Sequence, residues 1–157
     1  MSLESLPPAD SLMSRLAQIV LKLNGLLLEE GARTTENTGL TAQRLRVLGT
    51  LMRAGGQQTV PQLAREMGLA RQSVQRLADI MVADGVLEYR ANPAHATSRL
   101  LALTQEGQET YAALAGRMRE STDSMAAGLR AEALAQALEI LESLTATLEA
   151  KAGDAPK

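Results

Sequence analysis

Leu12, Leu16, Ile19, Leu23 and Leu26 or Leu27 recur at the spacing of one helical face, and Asp10 or Ser11 ahead of them can cap the start. The pattern stops near Gly31, and Gly31 to Gly39, with Thr34, Thr35, Asn37 and Thr38, has the composition of a loop. A second helix is expected from Thr41, with Leu40 and Leu45 spaced as a hydrophobic staple. It runs through Leu48, Leu51 and Met52 to Gly55 and Gly56. A third, short helix opens on a capping box, Thr59 with Gln62, tolerates Pro61 in its first turn and ends at Gly68. Its buried stripe is Val60, Leu63, Ala64 and Met67. After Gly68-Leu69-Ala70 a fourth helix turns Val74, Leu77, Ala78 and Met81 inward and finishes at Asp84-Gly85.

From Val86 the period shortens. Val86 to Arg90 and Arg99 to Leu103 are short alternating or apolar runs, and the small-residue loop from Ala91 to Ser98 separates them. They predict a β-hairpin with a long tip. Thr104 can cap a helix through Tyr111, Leu114 and Met118. A last helix is expected to place Leu134, Leu138, Leu141, Leu144 and Leu148 inward and to fray from Ala152 to Lys157. Two helices joined by a short Gly-containing turn form a helix-turn-helix, and the hairpin that follows is its wing.

The fold class is therefore mostly α: a winged helix-turn-helix with a small β-hairpin wing, flanked by terminal helices. Composition supports this, since 45% of the 157 residues are apolar while Phe and Trp are absent and Tyr occurs twice. The core must be built from Leu, Ala, Val, Ile and Met, an inventory that favours helices. Cysteine is absent and His95 is the single histidine, so no disulfide, thiolate chemistry or transition-metal site is expected, and no cofactor. Met1 to Asp10 does not read as a leader, and Ile19 to Leu28 is too short and too interrupted to span a bilayer. The expectation is a soluble, cytoplasmic protein. The net charge of −2 is unevenly spread. Residues 40 to 103 hold eight arginines and no lysine against Glu66, Asp79, Asp84 and Glu88, leaving +4 there and −6 on the flanks.

A basic middle fits a phosphate-facing surface, and the fourth helix carries side chains that could read bases. Gln72, Gln75, Arg76 and Asp79 stand at i, i+3, i+4 and i+7, opposite the buried stripe. A polar helical face is commonly plain solvated surface; the capped helix before this one and the hairpin after it favour the groove-facing reading. Gln can pair bidentately with adenine and Arg with guanine, while Arg71 and Ser73 can hold phosphates. Thr59, Arg90, His95 and Arg99 complete the expected DNA-facing set. Nothing points to catalysis: His95 falls in a loop, no glycine-rich phosphate loop has a recognised spacing, and Glu29-Glu30 sits at a helix end. The competing reading is a winged-helix module that binds protein rather than DNA.

Val60-Pro61-Gln62-Leu63-Ala64-Arg65-Glu66-Met67-Gly68-Leu69-Ala70-Arg71-Gln72-Ser73-Val74-Gln75-Arg76-Leu77, then Asp84-Gly85-Val86-Leu87-Glu88-Tyr89-Arg90, Asn92-Pro93 and Leu103-Thr104-Gln105-Glu106-Gly107, resembles the MarR family of bacterial regulators. The resemblance implies a repressor acting as a homodimer on a pseudo-palindromic double-stranded DNA operator, with a recognition helix in the major groove and a wing at the minor groove. It also implies a small aromatic acid or phenolic effector between dimerisation helices and winged module, for which Arg15 is the candidate anchor. Residues 1–39 and 104–157 would be the dimerisation regions and 40–103 the DNA-binding region. Two positions depart from the family pattern: Ala70 stands where Ser usually caps the recognition helix, and the wing tip reads Ala94-His95-Ala96-Thr97-Ser98 where an acidic residue and adjacent arginines are usual. His95 is either a partial substitute for those arginines or a solvated loop histidine.

Overall fold

The computed structural model describes residues 11–95 and 97–153, without the side chains of 152 and 153. The element order is α1 (Leu12–Thr34), α2 (Ala42–Arg53), β1 (Gln57–Thr59), α3 (Val60–Met67), α4 (Arg71–Ala83), β2 (Leu87–Arg90), β3 (Leu100–Leu103), α5 (Gln105–Ala113), α6 (Ala115–Ala126) and α7 (Ala131–Gly153). These elements divide into two compact units, one ending at Ser121 and the other starting at Thr122. The alternative cap Asp10, the wing residue Ala96 and residues 154–157 lie outside the described residues.

Polar caps set most helix starts. The hydroxyls of Ser11, Thr41, Thr59 and Thr104 each accept a bond from a first-turn backbone N–H, satisfying a donor that the helix itself leaves open. α1 does not stop at Gly31. Gly31 marks close packing instead, since an added Cβ would lie 3.1 Å from the Ala42 Cβ of α2, and the helix continues to Thr34. The chain then turns through Asn37 and Gly39, both at positive φ. The single helix expected after Thr104 is two: Leu114 is buried, its N–H bonds the Tyr111 carbonyl at 3.1 Å, and that tightened turn separates α5 from α6.

The expected hairpin is part of a three-stranded antiparallel sheet of order β1-β3-β2. β2 pairs with β3 in the register Leu87↔Leu103 to Arg90↔Leu100, and β1 pairs its other edge from Gln57↔Ala102 to Thr59↔Leu100. β1 has no sequence signal of its own: Gln57-Gln58-Thr59 is strand only because β3 offers it a partner. The core lies between this sheet and α2, α3 and α4. Val47, Leu48 and Leu51 meet Leu63, Met67, Val74, Ala78, Met81, Leu87, Leu101 and Leu103, with no aromatic ring among the fully buried side chains.

α1 and α7 differ in kind. Leu12 is 82% exposed and Leu148 is 65% exposed, and Ile19, Leu23, Leu26, Leu134, Leu138 and Leu141 are exposed as well. The leucines expected to turn inward on α7 are thus not buried within the chain. Among the described residues, no helix is long and apolar enough to cross a membrane.

Packing is tightest where α5 meets the base of the wing. Thr104 donates its hydroxyl to the Gly85 carbonyl at 2.7 Å and accepts from the Gly107 N–H at 3.1 Å. Gly107 is pressed so close to Val86 that an added Cβ would lie 2.1 Å from its carbonyl oxygen. Gly107→Ala should therefore destabilise the fold by about 1–3 kcal/mol or more, as overpacking against backbone does. Thermal unfolding followed by circular dichroism checks this, and an unchanged midpoint would show that α5 does not bear on Val86.

Candidate nucleic-acid interface

α4 is held at both ends by its neighbours. In the capping box of α3, the Gln62 Oε1 accepts from the Thr59 N–H at 2.9 Å and from the Thr59 hydroxyl at 2.7 Å. Thr59 is buried, and its hydroxyl caps α3 by donating to Gln62 and accepting from the Gln62 N–H. Gly68 ends α3 at φ +65, a left-handed conformation that suits glycine. Arg46 of α2 donates to the Met67 carbonyl at 3.1 Å, and Leu69 returns its N–H to the Ala64 carbonyl at 3.0 Å. At the far end, Arg44 of α2 meets Asp84 at 2.9 Å. Ala70, by contrast, begins α4 with no side-chain cap.

Arg71, Gln72, Ser73, Arg76 and Asp79 are exposed on α4, and Gln75 is half-buried. Arg71, Gln72, Gln75 and Arg76 line one open concavity of about 540 Å³. The shared face expected from their spacing is present, but its members are not equivalent. Gln75 donates from Nε2 to Asp79 Oδ1 at 2.9 Å and to the Tyr89 Oη at 2.6 Å, and the Tyr89 hydroxyl donates to Asp79 Oδ1 at 2.8 Å. Both amide hydrogens of Gln75 are spent, and a bidentate contact to adenine needs one of them. Gln75 in this arrangement is a bridge to the wing and not a free reader; Gln72 and Arg76 keep their polar ends open.

Tyr89 is what the sequence reading missed. It stands opposite Leu101 in the β2–β3 register and packs partly on the core, so its ring leans inward while its hydroxyl reaches α4. Partial burial and the neighbouring Asp79 carboxylate push the phenol above the ordinary tyrosine range, so it remains a proton donor to Asp79. The available signal was faint: Tyr89 is one of only two aromatic residues in the chain.

The wing places its cations unevenly. Arg90 bonds Glu88 on its own strand, with Nε 2.8 Å from Oε1, which compromises it as a phosphate contact. The Arg99 guanidinium lies over the Tyr89 ring, 4.2 Å from its centroid. His95 is exposed in the tip, whose shape is set by Asn92: its Nδ2 donates to the Ser98 carbonyl at 2.9 Å and its Oδ1 accepts from the Ala94 N–H at 3.0 Å. Arg15 is exposed on α1, away from the lining of a second cavity, of about 240 Å³, formed by residues that include Leu45, Arg46, Arg53 and Met118. Among the described residues no group of three or more His, Asp or Glu side chains could hold a metal ion.

The fold has known counterparts. A sequence model described as the MarR family matches residues 38–96, the stretch from the end of the α1–α2 turn into the wing loop. An uncharacterized protein of Mycobacterium tuberculosis is 34% identical over 139 residues, covering 88% of this chain and 96% of that protein. Among solved structures, a mutant MarR from E. coli complexed with operator DNA superposes with a TM-score of 0.71 at 18% identity, covering 84% of this chain and 94% of the other. CouR from Rhodococcus jostii RHA1, bound to p-coumaroyl-CoA, does so at 0.75 and 19% identity, covering 87% of this chain and 95% of the other. By the matching sequence model and the fold it shares with these structures, this chain belongs to the MarR family.

Proposed function

We propose that this MarR-family chain is a homodimeric transcription regulator that binds double-stranded DNA at a two-fold operator and acts as a repressor. The observation that carries the reading is α4 itself: an exposed face bearing Gln72 and Arg76, anchored through Arg44 to Asp84 and bridged to the wing by Tyr89. A side chain can discriminate bases only if its backbone is fixed relative to the rest of the reading surface. Support from outside the chain comes from the E. coli fold-mate crystallised with operator DNA.

The unburied leucines support the dimer. α1 and α7 each present an apolar stripe that the chain itself leaves open, and such faces in a folded protein are normally covered by a partner. On this reading residues 1–39 and 104–157 serve the dimer and 40–103 serve DNA. Sedimentation equilibrium at micromolar concentration should return twice the chain mass of 16.7 kDa; a stable monomer would remove the basis for a two-fold operator.

Binding is to be measured on the duplex upstream of the chain's own reading frame, across a range of salt. Gln72→Ala and Arg76→Ala should each relax base preference, costing about 1–3 kcal/mol where a bidentate contact is lost. Arg71→Ala and Ser73→Ala should weaken all sequences alike, with Arg71→Ala also flattening the salt dependence. The protected half-sites should lie in inverted order about one helical turn apart. A protein-binding module would instead show no sequence preference on any duplex, and the four variants would be indistinguishable from the parent.

An effector is the remaining part of the proposal. CouR carries an aromatic acyl-CoA, and a small aromatic acid or phenol released onto this chain would need a cation beside apolar walls. Arg15, exposed among Leu12, Leu16 and Ile19 on α1, is the anchor to test. Such a ligand releases DNA only if it prefers the form that cannot bind the operator. Aromatic acids titrated against the operator complex should shift its midpoint in the parent and less in Arg15→Ala; equal shifts would place the anion elsewhere.

A further inference from the structure

Between residues 40 and 103 the structure sorts the arginines by what they touch. Arg44 is paired with Asp84, Arg46 with the Met67 carbonyl, Arg53 with Thr50 and Glu66, and Arg90 with Glu88. Arg65, Arg71, Arg76 and Arg99 have no carboxylate within ion-pair distance among the described residues, and of these Arg71 and Arg99 line the same small cavity, of about 150 Å³. Thr97, Ser98, Gln75 and Tyr89 complete its polar lining. The cavity thus joins two uncompensated guanidinium groups, one from α4 and one from the wing, with three hydroxyl-bearing side chains.

Arg99 is also fixed in position. Its guanidinium lies over Tyr89, and the Tyr89 hydroxyl is held by Gln75 and Asp79, so the ring that supports the cation is itself tied to α4. A guanidinium stacked by its face keeps its N–H edge available for an oxyanion. The stack lies where the wing loop meets the strands, at the first residue before β3, whereas the tip carries His95 and no arginine.

We infer that Arg71 and Arg99 together grip a single backbone phosphate of bound DNA in this cavity, and that the wing engages the duplex through that phosphate instead of through a cation inserted into the minor groove. This rests on the DNA-binding reading above and specifies how the wing takes part in it. Tyr89 is a positioning residue in this scheme: its ring aims Arg99.

The test uses the full-length protein and the same upstream duplex, with methylphosphonate linkages replacing the phosphates one at a time. At one position per half-site the parent should lose roughly tenfold in affinity, the scale of a charge-assisted contact. Arg99→Ala should bind the unmodified duplex as weakly as the parent binds that modified one and lose nothing more on it; Arg71→Ala provides the same comparison if Arg99→Ala fails to fold. Replacing adenines by 2,6-diaminopurine, which adds an amino group in the minor groove alone, should leave the parent unaffected under the wing. Loss of the parent's affinity in that scan, abolished by Arg99→Ala, would identify a minor-groove cation and overturn the inference. Equal sensitivity of parent and both variants at every methylphosphonate would overturn it too. If the parent binds no duplex in a salt-dependent way, the DNA reading itself fails, and that outcome is distinct from either of these.

Discussion

Where α5 begins, its first turn rests on the Val86 carbonyl at a distance only glycine permits, and the Thr104 hydroxyl closes onto Gly85. Three parts of the chain meet there: the end of α4, the root of the wing and the helix that leads out of the winged module. The approach fixes where β2 starts relative to α4, so it fixes which residue of β2 can reach that helix. Tyr89 is that residue. The reading face, the wing and the departing helix therefore share one origin, and a displacement at Gly107 would be felt by all three. Such close backbone packing suits a core without large rings, because Leu, Val and Met fill only the space that neighbouring elements leave between them.

Helix positions were legible from the sequence because caps and apolar period agree at Ser11, Thr41, Thr59 and Thr104. Legibility failed where tertiary contact overrode local signal. Gly31 looks like a helix stop and is a packing contact; Leu114 sits in helical period and is drawn into the core, breaking the helix; Gln57 to Thr59 carries no strand pattern and is paired by β3. The same limit applies to the reading face. Spacing groups Gln72, Gln75, Arg76 and Asp79, but only the position of Tyr89 separates those that are bonded from those that are open.

Charge shows the difference between counting and placing. A +4 middle segment is a modest field, and much of its arginine is spent inside the module on a helix end, a carbonyl or a neighbouring carboxylate. What remains outward is Arg65 on α3, Arg71 and Arg76 on α4, and Arg99 where the wing loop meets β3. Ala70 adds to this: it gives α4 no side-chain cap, so the Arg71 and Gln72 amides at the start of the helix have no side-chain partner there. A weak overall field and a strong local one can coexist because the screening length in physiological salt, about 8 Å, is shorter than the module.

On the proposed DNA-binding reading, the Gln75–Tyr89–Asp79 bridge would also limit how much a single subunit can know about a genome. A side chain that is spent holding the wing carries no information about a base beneath it, so each half-site would be defined by few letters, and short words recur by chance throughout any chromosome. Selectivity would then come from the distance between two such words and from how easily the intervening duplex adopts the required bend. Rigidity in the reading head transfers the burden of discrimination from the vocabulary to the spacing.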